Sequence, residues 1–281
     1  MEKAVSREEL WNFTAEWKRR DCRVALVPTM GNLHEGHLAL LRHARERADR
    51  TVVSIFVNAT QFGPGEDFAA YPRTLEADLQ VLESNGCDLA FAPTEACVYP
   101  NGLAGAVRVM ASPSLSSILE GRNRPGHFDG VVTVVSRLFN LVGPDLAVFG
   151  EKDFQQLLVI RHMTADLGYP LAIESVPTVR EESGLARSSR NRYLDEDQRA
   201  AAGGISAALQ QAVRMLAQGA DPGQVERAGT QQLAQRGLEV DYFAVRRAAD
   251  LAVPEPGDTP LRVLAAARCG RTRLIDNMAA D

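Results

Sequence analysis

Two histidines three residues apart, His34 and His37, stand in the stretch Met30-Gly31-Asn32-Leu33-His34-Glu35-Gly36-His37. It directly follows the aliphatic run Val24-Ala25-Leu26-Val27-Pro28-Thr29. A short β-branched run bounded by Pro and Gly predicts a buried parallel strand, and the histidines then fall at the start of a helix over 36–47. At that spacing both imidazoles lie on one face of the helix. A helix N-terminus carries unpaired N–H groups at the positive end of its dipole, so anions settle there. Two imidazoles add directed donors, and the chemistry this predicts is phosphate binding. The zinc-binding H-E-x-x-H pattern is excluded, because only two residues separate His34 from His37. A lone histidine at a helix start is more often a capping or surface residue, so the reading needs partners elsewhere.

Two later stretches supply them. Gly150-Glu151-Lys152-Asp153 follows the run Asp145-Leu146-Ala147-Val148-Phe149 and puts a lysine at the carboxyl end of another predicted strand. Gly184-Leu185-Ala186-Arg187-Ser188-Ser189-Arg190-Asn191-Arg192 offers two hydroxyls and three guanidinium groups, and Arg forks onto phosphate oxygens. Singly, the second stretch reads as a solvated basic loop and Lys152-Asp153 as a surface pair. The amides Gln61 and Gln156 would likewise be solvated. Together they sit where a parallel sheet gathers ligands at its carboxyl edge, which predicts a nucleoside triphosphate cradle. Neither G-x-x-x-x-G-K-[ST] nor G-x-G-x-x-G occurs, which disfavours a P-loop kinase and a nicotinamide dinucleotide fold.

These groups need elements to hold them. A first helix is predicted from Ser6 to Arg20, with Ser6 and Glu9 as a capping box. A second buried strand, 51–57, ends at Asn58 and Gln61. Tyr71-Pro72-Arg73-Thr74 opens a helix to Ser84, and a short strand covers 88–92. Residues 93–125, rich in Gly, Pro and Ser, predict no clear element. A helix over 129–142, a strand over 145–149, a helix over 154–167 and a strand over 173–178 follow. This alternation predicts an α/β, Rossmann-like, doubly wound parallel sheet over residues 1–178. The rest, 179–281, predicts a smaller α+β domain, with helices over 195–218 and 222–236 and strands over 239–245, 261–267 and 271–276.

The totals agree with two globular domains. The chain has 281 residues, 45% of them hydrophobic and 24% charged. A net charge of −5 disfavours nucleic acid and anionic membranes as partners. Apolar runs break well before the length of a membrane span. The first residues, with Glu2, Lys3, Arg7, Glu8 and Glu9, lack a signal peptide's apolar core, so a cytoplasmic address is expected. Cys22, Cys87, Cys97 and Cys269 show no metal-ligand spacing and are expected to be reduced, buried residues.

Over most of its length the sequence resembles the pantoate–β-alanine ligase (pantothenate synthetase) family. The resemblance rests, in order, on Pro28 to His37, on Phe56-Val57-Asn58-Ala59-Thr60-Gln61-Phe62 and on Tyr71-Pro72-Arg73-Thr74. It continues through Glu120-Gly121-Arg122, Arg124-Pro125-Gly126-His127-Phe128 and Phe149 to Leu157. Ser188-Ser189-Arg190-Asn191 and Arg273-Leu274-Ile275-Asp276-Asn277 complete it. It implies a nucleotidyltransferase-type Rossmann domain of the kind seen in class I aminoacyl-tRNA synthetases, and a homodimer. The implied reaction is ATP-dependent condensation of pantoate with β-alanine to pantothenate, AMP and diphosphate, with small molecules as the only substrates.

Carried over residue by residue, the resemblance places ATP against Met30, Gly31, Asn32, Leu33, His34, Glu35, Gly36 and His37, with both histidines on the phosphates. Gly150, Glu151, Lys152, Asp153, Val179, Arg187, Ser188, Ser189 and Arg190 would line the same nucleotide. Pantoate and β-alanine would meet Gln61, Gln156, Asn58 and Met30. Ala59 stands where the family usually has Pro, which loosens that loop but leaves Asn58 and Gln61 in place.

The residue types suit the chemistry. A carboxylate attacking the α-phosphate sets anion against anion, so donors and cations must offset charge on the phosphoryl group and on the departing pyrophosphate. His34, His37, Lys152, Ser188, Ser189 and Arg190 form the expected catalytic set. Mg²⁺ is expected to bind mainly through the ATP phosphates, since no aspartate cluster announces a protein site. His37 is taken as the proton donor when the amine attacks the acyl-adenylate, and the second domain as a lid against water. A nucleotidylyltransferase would share the His-x-Gly-His site but stop at an adenylated acceptor. A tRNA-charging enzyme fits poorly with an acidic chain, and a non-catalytic nucleotide binder would keep the same residues without turnover.

Overall fold

The computed structural model describes residues 1–280, which fall into two compact units. The first comprises Met1–Gly150 and Val159–Val176. The second comprises Glu151–Leu158 and the chain from Pro177 onward.

In the first unit, strands β1 (Glu2–Ala4), β2 (Val24–Thr29), β3 (Arg50–Ile55), β4 (Leu89–Phe91), β5 (Leu146–Gly150) and β6 (Ala172–Val176) form one sheet in the order β1-β4-β3-β2-β5-β6. Every neighbouring pair is parallel. Parallel strands need crossovers, which are supplied by α1 (Arg7–Arg19), α2 (Glu35–Arg47), α3 (Leu75–Ser84), the short α4 (Glu95–Val98), α5 (Pro113–Ser116) and α6 (Leu119–Asn123), then α7 (His127–Val142) and α8 (Phe154–Asp166). Alternate strand residues Ala25, Val27, Val53, Ala90, Leu146 and Val148 pack with Leu40, Leu41 and Ala44 of α2 and Leu82 of α3. The intervening residues Val24, Leu26, Val52, Leu89 and Ala147 are also fully buried. Both faces of the sheet are therefore covered, which is why these strands read as unbroken apolar runs.

Several boundaries have local causes. Ser6 accepts from the Glu9 N–H and the Glu9 carboxylate reaches back to the Ser6 N–H, closing the expected capping box. The helix expected from Tyr71 starts at Leu75, with Thr74 standing outside the helical region as its N-cap (φ −122°, ψ 39°). Helix α7 forms despite its valines. Gly126 (φ 80°) precedes it, and Gly143 (φ 59°) ends it by donating to the Phe139 carbonyl. Strand β1 had no signal in the sequence: Glu2-Lys3-Ala4 forms a strand by pairing with Leu89–Phe91.

The strand order reverses between β2 and β5, and there the sheet opens. β2 pairs with β3 along its whole length, but with β5 only through Ala25↔Leu146 and Leu26↔Ala147. Pro28 has no N–H to give to a neighbour. The carboxyl ends of β2 and β5 thus diverge at the position where open α/β sheets bind ligands.

In the second unit, β7 (Glu239–Arg247), β8 (Leu261–Cys269) and β9 (Thr272–Ala280) form an antiparallel sheet in that order. Helices α9 (Glu196–Ala217) and α10 (Pro222–Ala234) supply Ile205, Leu209, Val225 and Leu233 to a core with Phe243, Val245, Val263 and Leu274. Asp195 and Gln198 close a capping box at the start of α9. The units do not follow a single cut at 178, because residues 151–158 group with the second. The cause is a set of contacts from β8 and β9, described below.

Candidate active site

In the first unit, the loop after β2 is bent by two consecutive left-handed residues, Gly31 (φ 80°) and Asn32 (φ 51°). Glycine suits the first, and asparagine is among the few side chains that tolerate the second. Buried Asp78 of α3 fixes the bend. Its carboxylate accepts from the Asn32 N–H at 2.9 Å, the Leu33 N–H at 2.8 Å and the Thr74 hydroxyl at 3.1 Å. The Asn32 and Leu33 N–H groups are thereby engaged within the protein.

That start is built from the histidines. His34 is the N-cap of α2: its Nδ1 accepts from the Gly36 N–H at 3.1 Å, while His37 Nδ1 accepts from the His34 N–H at 3.3 Å. A nitrogen that accepts carries no proton, so each ring in this arrangement is a neutral imidazole with its proton on Nε2. The ring centroids lie 4.1 Å apart, with the planes tilted by 32°. The spacing that predicted two imidazoles on one face holds, and the rings cap the helix as well.

The turn after β3 holds Gln61 by both ends of its amide. Asn58 Nδ2 donates to Gln61 Oε1 at 3.1 Å, and Gln61 Nε2 donates to Met30 Sδ at 3.2 Å. Asn58 is itself buried, donates to the Gly130 carbonyl at 3.2 Å and accepts from the Tyr99 hydroxyl at 2.7 Å. The Gln61 carbonyl accepts from His127 Nδ1 at 2.8 Å. Arg124 in turn donates to His127 Nε2 at 3.0 Å and grips Glu66 with two bonds of 2.8 and 2.6 Å. Burial raises the Glu66 carboxyl, but the Arg124 guanidinium outweighs it and holds the group below its usual range. Met30, Asn58 and Gln61 therefore meet within one unit, beside the opening between β2 and β5 that ends at Gly150.

His127 makes this turn sensitive to acid. Burial, followed by the charge of Arg124, pushes its imidazole down to about 4 from an ordinary 6.5. The unfolded chain then binds a proton that the folded chain refuses until about pH 4, so stability is full above 6.5 and falls as pH drops through that window. Between pH 7.5 and 5 the loss from this one group is about 2 kcal/mol. Urea unfolding of the native chain and of His127→Asn at both pH values should show the steeper slope only with histidine. Parallel slopes would place the acid sensitivity elsewhere.

The second unit carries the remaining predicted residues. Lys152 lies on the short 3-10 turn Glu151–Asp153 with its ammonium 3.8 Å from the Asp153 carboxylate, and Gln156 follows on α8. Val179 accepts from the Arg187 N–H at 2.9 Å, closing a hairpin that delivers Ser188, Ser189 and Arg190. Ser188 caps the turn Ser189–Tyr193 by accepting from the Arg190 N–H. Buried Asn191 ties this turn to Glu181, which also grips Arg199 at 2.8 Å. Burial raises the Glu181 carboxyl, but its bonds from Asn191 and Arg199 win and hold it low. Among the described residues, no group of three His, Cys, Asp or Glu side chains is placed to hold a metal ion, and no helix is long and apolar enough to cross a membrane.

Sequence reasoning missed Asp78, Tyr99 and Glu66 altogether, and gave His127 and Arg124 no role. Each acts through a partner 41 or more positions away along the chain (Tyr99 to Asn58, Asp78 to Leu33, Arg124 to Glu66, His127 to Gln61), so no local spacing marks them.

Comparison with known proteins supports the same assignment. The family model described as pantoate-beta-alanine ligase matches residues 3–279. A pantothenate synthetase from Thioalkalivibrio sulfidiphilus is 55% identical over 94% of this chain and 93% of its own. One from Shewanella loihica is 51% identical, again over 94% and 93%. Among solved structures, pantothenate synthetase from Thermus thermophilus superposes with a TM-score of 0.92 at 45% identity, covering 99% of both chains. The Francisella tularensis pantoate-beta-alanine ligase, solved with beta-gamma ATP and beta-alanine, gives 0.84 at 32% identity, covering 99% of this chain and 97% of its own. With the paired-histidine helix start, the parallel sheet and the full-length match in agreement, the chain belongs to the pantoate–β-alanine ligase family of enzymes.

Proposed function

We propose that the enzyme condenses (R)-pantoate with β-alanine at the expense of ATP, through a pantoyl-adenylate, releasing diphosphate and then AMP. The observation that carries the reading is the pair of neutral imidazoles at the start of α2, beside the opening between β2 and β5. A helix start with imidazole donors suits triphosphate oxygens. Lys152, Ser188, Ser189 and Arg190 add the cations and hydroxyls that transfer at the α-phosphate requires. ATP lies along Met30–His37, Gly150–Asp153, Val179 and Arg187–Arg190 in this reading. Pantoate is held by Gln61 and Gln156, with Asn58 and Met30 setting the Gln61 amide.

The pantoate carboxylate attacks the α-phosphate, the bond to the β-phosphate breaks, and diphosphate leaves with its charge balanced by those donors. The amine of β-alanine, once deprotonated, then attacks the acyl carbon, the acyl–phosphate bond breaks and AMP departs. The protons lost by the amine pass to solvent, and His37, the group proposed to donate a proton, would give one from its imidazolium form to a phosphate oxygen of the departing AMP. Mg²⁺, when bound, would be held mainly by ATP phosphate oxygens and would neutralise charge on the β- and γ-phosphates. Residues 179–281 are read as the lid that keeps water from the mixed anhydride. The family resemblance supports a cytoplasmic homodimer, which light scattering on the purified chain checks for assembly.

The test is diphosphate release from ATP and pantoate, with and without β-alanine, followed by mass analysis. Pantothenate and AMP should appear together, and only with β-alanine present. AMP transferred instead to a phosphorylated acceptor, with no turnover of pantoate, would replace this reading with a nucleotidylyltransferase.

A further inference from the structure

The turn bearing Lys152 is only three residues long and has no ladder of its own to fix it. It is held from β9. Asn277 Nδ2 donates to the carbonyl of Glu151 at 2.8 Å and to that of Lys152 at 2.9 Å. Asn277 Oδ1 accepts from Arg262 Nε of β8 at 2.7 Å. The far side of the same guanidinium pairs with Glu151 Oε2 at 2.9 Å, and its central carbon lies 4.0 Å from the centre of the Phe154 ring. Asn277 is 3% exposed and Arg262 7%, so these bonds are made away from competing water.

The chemistry of this arrangement is specific. Two carbonyls and one guanidinium meet a single planar group, and only a side-chain amide offers donors to the first pair and an acceptor to the second. Rotating the amide by half a turn would break all three bonds. The neighbouring residue, Asp276, meanwhile grips Arg180 with bonds of 2.6 and 3.0 Å. Arg180 also donates to the Gly184 carbonyl at 3.1 Å inside the hairpin that leads to Ser188 and Arg190. Two consecutive residues of one strand therefore brace both segments to which phosphate binding has been assigned.

We propose that Asn277, braced by Arg262, is a positioning residue for Lys152: it fixes the backbone from which the ammonium reaches the phosphates. This rests on the functional reading above. Asn277→Asp keeps an acceptor for Arg262 and removes both donors to the turn, so it separates holding the turn from filling the space. Diphosphate release should slow by ~10- to 100-fold in kcat, the effect expected of a misplacement near 1 Å, with the KM for β-alanine unchanged. Because the loss acts through Lys152, the double variant Asn277→Asp/Lys152→Ala should be no slower than Lys152→Ala alone. Losses that multiply would reduce Asn277 to a structural role and overturn the inference. If Asn277→Asp fails to fold, Asn277→Ser, whose short side chain cannot reach both carbonyls, enters the same cycle with the same two outcomes. A wild-type chain without diphosphate release, or a Lys152→Ala variant as fast as wild type, would overturn the functional reading itself and this inference with it.

Discussion

Exchanging His34 for serine or His37 for glutamine is expected to slow pantothenate formation by ~100-fold or more each while leaving the fold intact, because in the proposed function each exchange removes a preorganised donor to transferring phosphate. Serine at the N-cap and glutamine three residues on are the residues that helices ordinarily use in these two places. Either exchange should therefore keep or raise unfolding stability, within about 1 kcal/mol. The chain places histidine at both positions, and both Nδ1 atoms do the capping. A local rule set aside in favour of a weaker cap points to a site whose chemistry needs the ring. Urea unfolding and steady-state diphosphate release on the same preparations measure both quantities. Variants that kept full activity would show that the rings serve the helix alone.

Gly130→Ala should be strongly damaging although it leaves the reacting groups themselves unchanged. A Cβ there would lie 2.2 Å from the Thr60 carbonyl oxygen and 2.6 Å from the Gln61 Cα, and both obstacles are backbone. Neither α7 nor the turn Ala59–Gln61 can yield without moving Gln61. The Asn58 bond to the Gly130 carbonyl would also be strained. Overpacking of this kind costs about 1–3 kcal/mol, and more where backbone must shift. Displacing Gln61 by about 1 Å should cost a further ~100-fold in kcat/KM for pantoate, with a smaller change for ATP. Equal losses for both substrates would trace the damage to global unfolding.

The parallel sheet was legible because its strands are buried on both faces and its helices carry caps and periodic apolar residues, as in Ser6–Arg20 and Asp195–Gln218. The histidines, Lys152 and the serine–arginine stretch stood out as candidates because their types are unusual for the places where they stand. The bracing around them was not. Asp78, Tyr99 and Asn277 look like ordinary residues in ordinary elements, and their meaning lies in partners 41 to 126 positions away. The short helices over 95–123 were likewise invisible, since four- or five-residue helices present too little periodicity to read. Grouping of residues 151–158 with the second unit followed from long-range hydrogen bonds, which no compositional boundary announces.

That grouping bears on how such a protein can be inherited. The chain crosses between its two units at 150/151, 158/159 and 176/177. A gene divided at 176 would give one product with Lys152 but no Asn277, and another with Asn277 but no lysine to hold. A crossover between relatives at 176 would instead join the turn of one parent to the strand of the other, so the asparagine would meet the carbonyls of a foreign turn.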